Sequence, residues 1–290
     1  MSNSLIDLHT HTSYSDGELT PDELIELAVS KNIKILGITD HNTLDGLKNI
    51  NRNNPFITNN DIRVIDGIEL TAKVDKGTMH ILGYDIDKDN PLLNEKMLEM
   101  KDNSINFILY IIEQIKRDYG IYFSYNDIKE LVNANHNLGR PDIAKLLIKN
   151  GYAISVEDAF KRYLISANDK VRGIKKSLTY EECIDLIKDS GGIPVLAHPK
   201  TLKLTDKELL ILLKEMINLG LKGIEVYHSS HTKEEVDYYL GIANGYDLLI
   251  SGGSDFHGKN VKTDVELGSG KNNNIKIKSL SILEHIKQIR

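Results

Sequence analysis

The sequence predicts an α/β fold, a parallel barrel or open sheet interrupted by a block of helices. Three observations carry that expectation. Short apolar runs alternate with amphipathic stretches in the N-terminal third and again after Lys170. The segment between has helical periodicity with no strong strand, and side chains able to bind metal recur just after the strands.

In chain order, residues 5–8 predict a first buried strand. Residues 21–31 predict a helix with Thr20 as N-cap, Pro21 in the first turn, and acidic Asp22 and Glu23 behind it. A strand follows at 33–39 and a short helix at 43–51. Residues 62–70 and 78–85 predict two strands joined by a hairpin through Asp75-Lys76-Gly77. Residues 91–119 predict a long amphipathic helix, with shorter helices at 125–133, 141–149 and 156–164. Alternation then resumes: helix 180–189, strand 193–197, helix 206–219, strand 223–227, helix 233–245, strand 248–251 and a closing helix near 279–288. Asn- and Asp-rich pieces at 51–60 and 271–274 predict surface loops. The expected organisation is a split domain, 1–90 and 170–290, with a helical insertion at 91–169 serving as a substrate-binding element or lid.

Forty per cent of the 290 residues are apolar and 27% are charged, an ordinary globular composition. A net charge of −6 argues against a surface that grips long nucleic acid by counterion release, while leaving room for a locally positive pocket. Met1-Ser2-Asn3-Ser4 leads into the first strand without the basic and apolar regions of a signal peptide, and no run reaches the roughly 18–20 apolar residues of a spanning helix. The single Cys183 excludes disulfides within the chain and Cys-based zinc clusters, and reads as a small buried apolar residue. The expectation is a cytoplasmic protein with no membrane partner.

The chemistry-bearing residues lie where α/β folds place their sites, at the C-terminal ends of strands. The first strand ends in His9-Thr10-His11, with Asp16 five residues on. Two imidazoles at i and i+2 of an extended segment point the same way. Later strands end in Asp40-His41, Glu69, His198, His228 with His231 beyond it, and Asp255-Phe256-His257. His80 stands near a strand start, which suits the same end of the sheet only if that strand runs antiparallel. Neutral imidazole with carboxylate is the ligand chemistry of Zn, Mn and Fe sites. His9, His11, Asp16, His41, Glu69, His80, His198, Asp255 and His257 are the candidate metal ligands. Asp40 is expected to orient a ligand histidine.

Ile6-Asp7-Leu8-His9-Thr10-His11, Ile38-Thr39-Asp40-His41-Asn42-Thr43, Gly67-Ile68-Glu69, His80-Ile81-Leu82-Gly83-Tyr84, Leu196-Ala197-His198-Pro199 and Gly253-Ser254-Asp255-Phe256-His257-Gly258 follow one another in the order and kind of the PHP (polymerase and histidinol phosphatase) family motifs. The chain resembles that family over nearly its whole length. Its stand-alone phosphoesterase branch, which includes 3′,5′-nucleoside bisphosphate phosphatase and a 5′→3′ ribonuclease, is the most similar. The resemblance implies a distorted (β/α)7 barrel with a trinuclear metal centre. His9, His11, Glu69 and Asp255 would hold one ion; Glu69, His80 and His198 a second, with Glu69 bridging; and Asp16, His41 and His257 the third. The insertion departs from the pattern: Asp142 stands where the family commonly has His, and Val171-Arg172-Gly173-Ile174-Lys175 replaces an Ala-Tyr-Val-Pro-Lys-like stretch.

Three divalent ions, with Mn2+ expected first and Fe2+ or Zn2+ also suited, exceed in charge the three carboxylates Asp16, Glu69 and Asp255. The excess suits a metal-bridging hydroxide and a phosphate dianion, hence hydrolysis of a phosphoester. The expected substrate is a small nucleotide: a 3′,5′-nucleoside bisphosphate or a short 5′-phosphorylated RNA. Arg140 is the expected phosphate clamp, since a guanidinium binds phosphate bidentately, with Lys175, Arg172 and His231 as further contacts. His228 or His231 would protonate the leaving alkoxide. A histidinol-phosphate phosphatase and a non-catalytic metal-binding module are the alternatives the resemblance allows. An amidohydrolase is disfavoured because no Lys ends a candidate ligand strand.

Overall fold

The computed structural model describes residues 5–133, 138–174 and 176–287. Seven strands form one sheet in chain order: β1 (Leu5–Asp7), β2 (Ile33–Ile38), β3 (Arg63–Ala72), β4 (Met79–Tyr84), β5 (Ile193–Leu196), β6 (Gly223–His228) and β7 (Leu249–Gly253). All neighbours are parallel except β4, which runs antiparallel to both β3 and β5. The sheet curls until its ends meet. The Leu8 amide donates to the Gly252 carbonyl at 3.2 Å, Asp255 N to His9 O at 2.8 Å and His11 N to Phe256 O at 3.0 Å. A distorted (β/α)7 barrel results, its seam closed at the C-terminal ends of β1 and β7. Ile6, Leu8, Ile65, Leu82, Tyr84, Val195 and Ala197 fill its core.

Helices α1 (Pro21–Ser30), α2 (Asp45–Lys48) and α3 (Pro55–Thr58) connect the first three strands, and α4 (Pro91–Tyr119) opens the insertion. There α5 (Tyr125–Val132), α6 (Arg140–Lys149), α7 (Val156–Ala159), a π-helical stretch Phe160–Leu164 and α8 (Ile165–Val171) follow. The return to the barrel brings α9 (Tyr180–Asp189), α10 (Asp206–Leu219) and α11 (Lys233–Tyr246), then a small ribbon of β8 (Val265–Glu266) and β9 (Gly270–Lys271). Helices α1, α9, α10 and α11 each begin with a Thr–x–x–Glu capping box, in which the Thr hydroxyl and the Glu carboxylate satisfy each other's end of the first turn.

The chain divides into two compact units, one of residues 1–95 and 178–290, the other Lys96–Ser177. The second has its own core, with Ile108, Ile111, Ile115, Ile143, Leu147 and Leu164 buried together. No described helix is long and apolar enough to cross a membrane.

Three expectations give way. The closing helix at 279–288 is only a 3-10 turn, Ser281–Glu284. Its neighbours are committed to the barrel instead: Ile277 O accepts from Ile6 N at 3.0 Å, and Ser281 Oγ accepts from Ile250 N at 2.8 Å. The helix expected over 43–51 shrinks to α2, and a further turn, α3, forms inside the loop expected at 51–60, capped by the Asn54 side chain on Phe56 N.

Candidate metal centre

β1 delivers His9 and His11 to the closed end of the barrel. Asp7, fully buried, anchors that delivery by accepting from Ser254 N at 2.8 Å, Ser254 Oγ at 2.5 Å and Gly268 N at 2.8 Å. Burial pushes its carboxyl pKa up, against the lowering effect of those bonds. The turn after His11 brings in Asp16. Asp40 shapes that turn, accepting from Thr12 N at 2.7 Å and from the hydroxyls of Thr12 and Ser15 at 2.6 Å. Asp40 therefore orients the Asp16-bearing turn rather than a histidine as expected. The buried hydroxyls of Thr12 and Ser15 lie nearer its carboxylate.

Glu69 is the centre of the cluster and has no exposed surface. Its Oε1 lies 2.8 Å from His80 Nδ1 and 2.9 Å from His198 Nε2. Its Oε2 lies 3.1 Å from His9 Nε2 and 3.2 Å from both His11 Nε2 and His41 Nδ1. The antiparallel course of β4 lets His80 join, since it pairs with Thr71 two residues beyond Glu69. Asp255 closes the other side: Oδ1 is 3.2 Å from His11 Nε2 and 3.6 Å from His9 Nε2, while Oδ2 is 3.2 Å from His228 Nε2. His257 Nε2 sits 3.2 Å from Asp16 Oδ1. Asp255 and His198 hold backbone φ of +56° and +22°, left-handed values that non-glycine residues adopt at a cost and that cluster at functional sites.

The structure thus brings all nine candidate ligands together. Among the described residues, ligand-type atoms fall into sets including His9, His11, Glu69 and Asp255; His11, Asp16, His41 and His257; and His41, Glu69 and His80. The donor set fits divalent ions. Both ring nitrogens of His11 are buried without a hydrogen bond, although Nε2 faces two carboxylates. His9 Nδ1–H donates to Glu225 Oε1 at 2.8 Å and His257 Nδ1–H to the Asp255 carbonyl at 2.9 Å, so each presents the lone pair of Nε2 to the cluster.

Charge distribution among the residues of the cluster follows from burial and neighbours. Burial opposes a proton on His11, but Asp255, Glu69 and Asp16 together outweigh it and raise its pKa to about 9. His9 is likewise raised, burial being overcome by Glu225, Glu69 and Asp255. His41 goes the other way, pushed down to about 3 by burial, with Glu69 and Asp16 opposing and the neighbouring His11 and His80 assisting. Burial resists charge on Glu69, Asp255 and Asp16 too, yet the surrounding imidazoles hold all three well below the usual carboxylate range.

The remaining expected residues are scattered. His228 lines a cavity of about 630 Å³ shared with His41, Glu69, His80, His198 and Asp255. His231 lines a separate cavity of about 610 Å³, and its Nδ1–H donates to Val226 O at 2.9 Å. Burial lowers its pKa to about 4. Arg140 begins α6 in the insertion with its guanidinium 5.5 Å from the Phe160 ring centre. Arg172 opens a 3-10 turn, and Lys175 lies outside the described residues. The sequence reading missed Glu225, fully buried in β6, whose Oε2 also accepts from His198 N at 2.8 Å. A lone acid inside the apolar strand Gly223-Ile224-Glu225-Val226 was the available signal. Lys262, 2.5 Å from Asp255 Oδ2, was missed as well.

Comparison with known proteins agrees with this geometry. The PHP domain model matches residues 7–189. The 5′-3′ exoribonuclease Rnm of Escherichia coli K12 is 30% identical over 258 residues, covering 87% of this chain and 85% of that protein. The 3′,5′-nucleoside bisphosphate phosphatase of Chromobacterium violaceum is 26% identical over 257 residues, covering 87% of each. Among solved structures, a Bifidobacterium adolescentis protein assigned as a metal-dependent phosphoesterase superposes with a TM-score of 0.71 at 27% identity, over 93% of this chain and 94% of that one. With the motif order, the barrel and the ligand cluster in agreement, the chain belongs to the PHP family of metal-dependent phosphoesterases.

Proposed function

We propose that this chain is a cytoplasmic hydrolase of small phosphorylated nucleotides, acting on a 3′,5′-nucleoside bisphosphate or on the end of a short 5′-phosphorylated RNA. The observation that carries the reading is Glu69: one buried carboxylate faced by five imidazoles carried by four strands, β1, β2, β4 and β5, with Asp16 and Asp255 completing the set. Similarity to an exoribonuclease and to a bisphosphate phosphatase supports the substrate class.

Three divalent ions, Mn2+ before Fe2+ or Zn2+, are assigned to the site. His9, His11, Glu69 and Asp255 would hold one, Glu69, His80 and His198 the second, and Asp16, His41 and His257 the third. Bound there, such ions supply an activated water and neutralise charge on the phosphoryl group. The chain's own part is positioning and proton movement. Glu225 fixes the His9 ring and the His198 backbone, so two ligands cannot turn away. His228 Nδ1 accepts from Ser230 N at 3.1 Å, which leaves an N–H on Nε2, beside Asp255 Oδ2 at 3.2 Å in the shared cavity. That N–H is the donor we assign to the leaving oxygen, in preference to His231, which lines the other cavity. Arg140 remains the assigned clamp from the insertion. Its guanidinium lies 5.5 Å from the Phe160 ring centre, a cation–π contact that uses none of its N–H donors on an acceptor.

The test is a substrate panel of adenosine 3′,5′-bisphosphate, 5′-phosphorylated short RNA, histidinol phosphate and p-nitrophenyl phosphate with Mn2+-loaded protein. The nucleotides should be hydrolysed fastest and Asp255→Asn should abolish turnover. His228→Gln should slow the nucleotides by about 100-fold, within the usual range for general acids, but slow p-nitrophenyl phosphate far less, because its leaving group needs no proton. Preference for histidinol phosphate would move the substrate assignment, and metal-loaded protein that cleaves nothing would reject hydrolysis.

A further inference from the structure

The barrel carries a cation beside the ligand cluster. Lys262 follows β7 in a loop tied down at several points. Gly258 holds φ at +103°, Lys262 N donates to Gly258 O at 3.0 Å, and Asn260 N donates to Glu18 Oε2 at 3.1 Å. Its ammonium lies 2.5 Å from Asp255 Oδ2 and 3.5 Å from the Asp255 carbonyl, on a side chain 36% exposed.

Three lysines line the cavity that contains Glu69 and Asp255, and two are engaged by acids outside the candidate ligand set. Lys200 pairs with Glu235 at 2.9 Å, and Lys271 with Asp264 at 2.5 Å. Lys262 differs, because its ammonium donates hydrogen bonds to Asp255, a candidate ligand. The two oxygens of Asp255 divide their attention: Oδ1 faces His9 and His11, Oδ2 faces His228 and Lys262. A carboxylate that shares its charge with a divalent ion would attract an ammonium less strongly. A half-exposed lysine on a flexible four-carbon stem can then pivot to a stronger anion arriving in the same cavity.

We propose that Lys262 is a substrate-phosphate ligand: its ammonium pairs with Asp255 and turns to the non-bridging oxygens of a phosphoryl group when one binds in this cavity. The inference rests on the phosphoesterase reading and adds a barrel-borne contact to those expected from the insertion. As a compact point charge, the ammonium favours a dianionic phosphomonoester over a monoanionic diester, which gives the site a bias toward terminal phosphate.

The experiment measures binding of inorganic phosphate to the metal-loaded wild type, Lys262→Met and Lys262→Arg by calorimetry, with metal content and hydrolysis kinetics on the same samples. Lys262→Met should bind phosphate about tenfold more weakly, as loss of one charged hydrogen bond implies. Its KM should rise in parallel, with kcat and metal content little changed, and Lys262→Arg should recover most of the affinity. Unchanged phosphate affinity in Lys262→Met overturns the proposal. So does a loss of bound metal with phosphate affinity of the loaded fraction intact, which would reduce Lys262 to a support for Asp255. Wild-type protein that binds metal and phosphate but hydrolyses nothing defeats the phosphoesterase reading, while the binding comparison still decides the role of Lys262.

Discussion

Glu69, itself without exposed surface, meets His80 and His198 through one oxygen and His9, His11 and His41 through the other. Without metal, the carboxylates keep protons on His9 and His11 that ion binding must expel. The sign for stability follows. The folded pKa of His11, about 9, lies above its unfolded value of about 6.5, so its contribution is complete below pH 6.5 and is lost as pH rises through 9. His9 acts in the same direction. His41, lowered to about 3, contributes above pH 6.5 and loses its contribution on acidification. Chelated protein should therefore melt at falling temperature between pH 6.5 and 9, and the rise in Tm on adding Mn2+ should grow across the same interval. A metal-free Tm that stays flat or climbs over that window contradicts this charge assignment.

At the scale of elements, the site is a property of strand ends drawn to one point. β1 and β7 approach so closely that a Cβ at Gly253 would lie 2.3 Å from His9 N and 2.5 Å from His9 Cβ. Gly253→Ala must push the two strand ends apart, separating His9 and His11 from Asp255. It should destabilise the fold by about 1–3 kcal/mol, as overpacking does, and weaken metal binding at least tenfold. Wild-type metal affinity in this variant, measured by competition with a chelator, would mean the seam does not set the ligand geometry.

Much of this was legible in the sequence, because histidines and acids after successive apolar runs mark strand ends, and Thr–x–x–Glu marks helix starts. Glu225 was hidden: an acid within a strand looks like an exposed edge position until the barrel closes around it. The closing helix was misread for a related reason. Leu280, Ile282 and Ile286 suggest a helical face, but backbone bonding of the flanking segment to β1 and β7, which no local pattern reports, decides their conformation. Asp40 was given the wrong partner because the two hydroxyls of the Thr12–Ser15 turn are recognisable only once it folds.

Across the whole molecule, all nine candidate ligands belong to the barrel unit, and the insertion has a separate apolar core. The central claim is that the buried imidazole–carboxylate cluster is a metal centre that hydrolyses phosphoesters. It is tested most directly by titrating chelated protein with Mn2+ while following bound metal and phosphate release from adenosine 3′,5′-bisphosphate in parallel. The account predicts no hydrolysis without metal, activity rising with occupancy to a plateau near three ions per chain, and none at any occupancy in Asp255→Asn. Full metal occupancy with no phosphate released, or release that survives complete chelation, would contradict it.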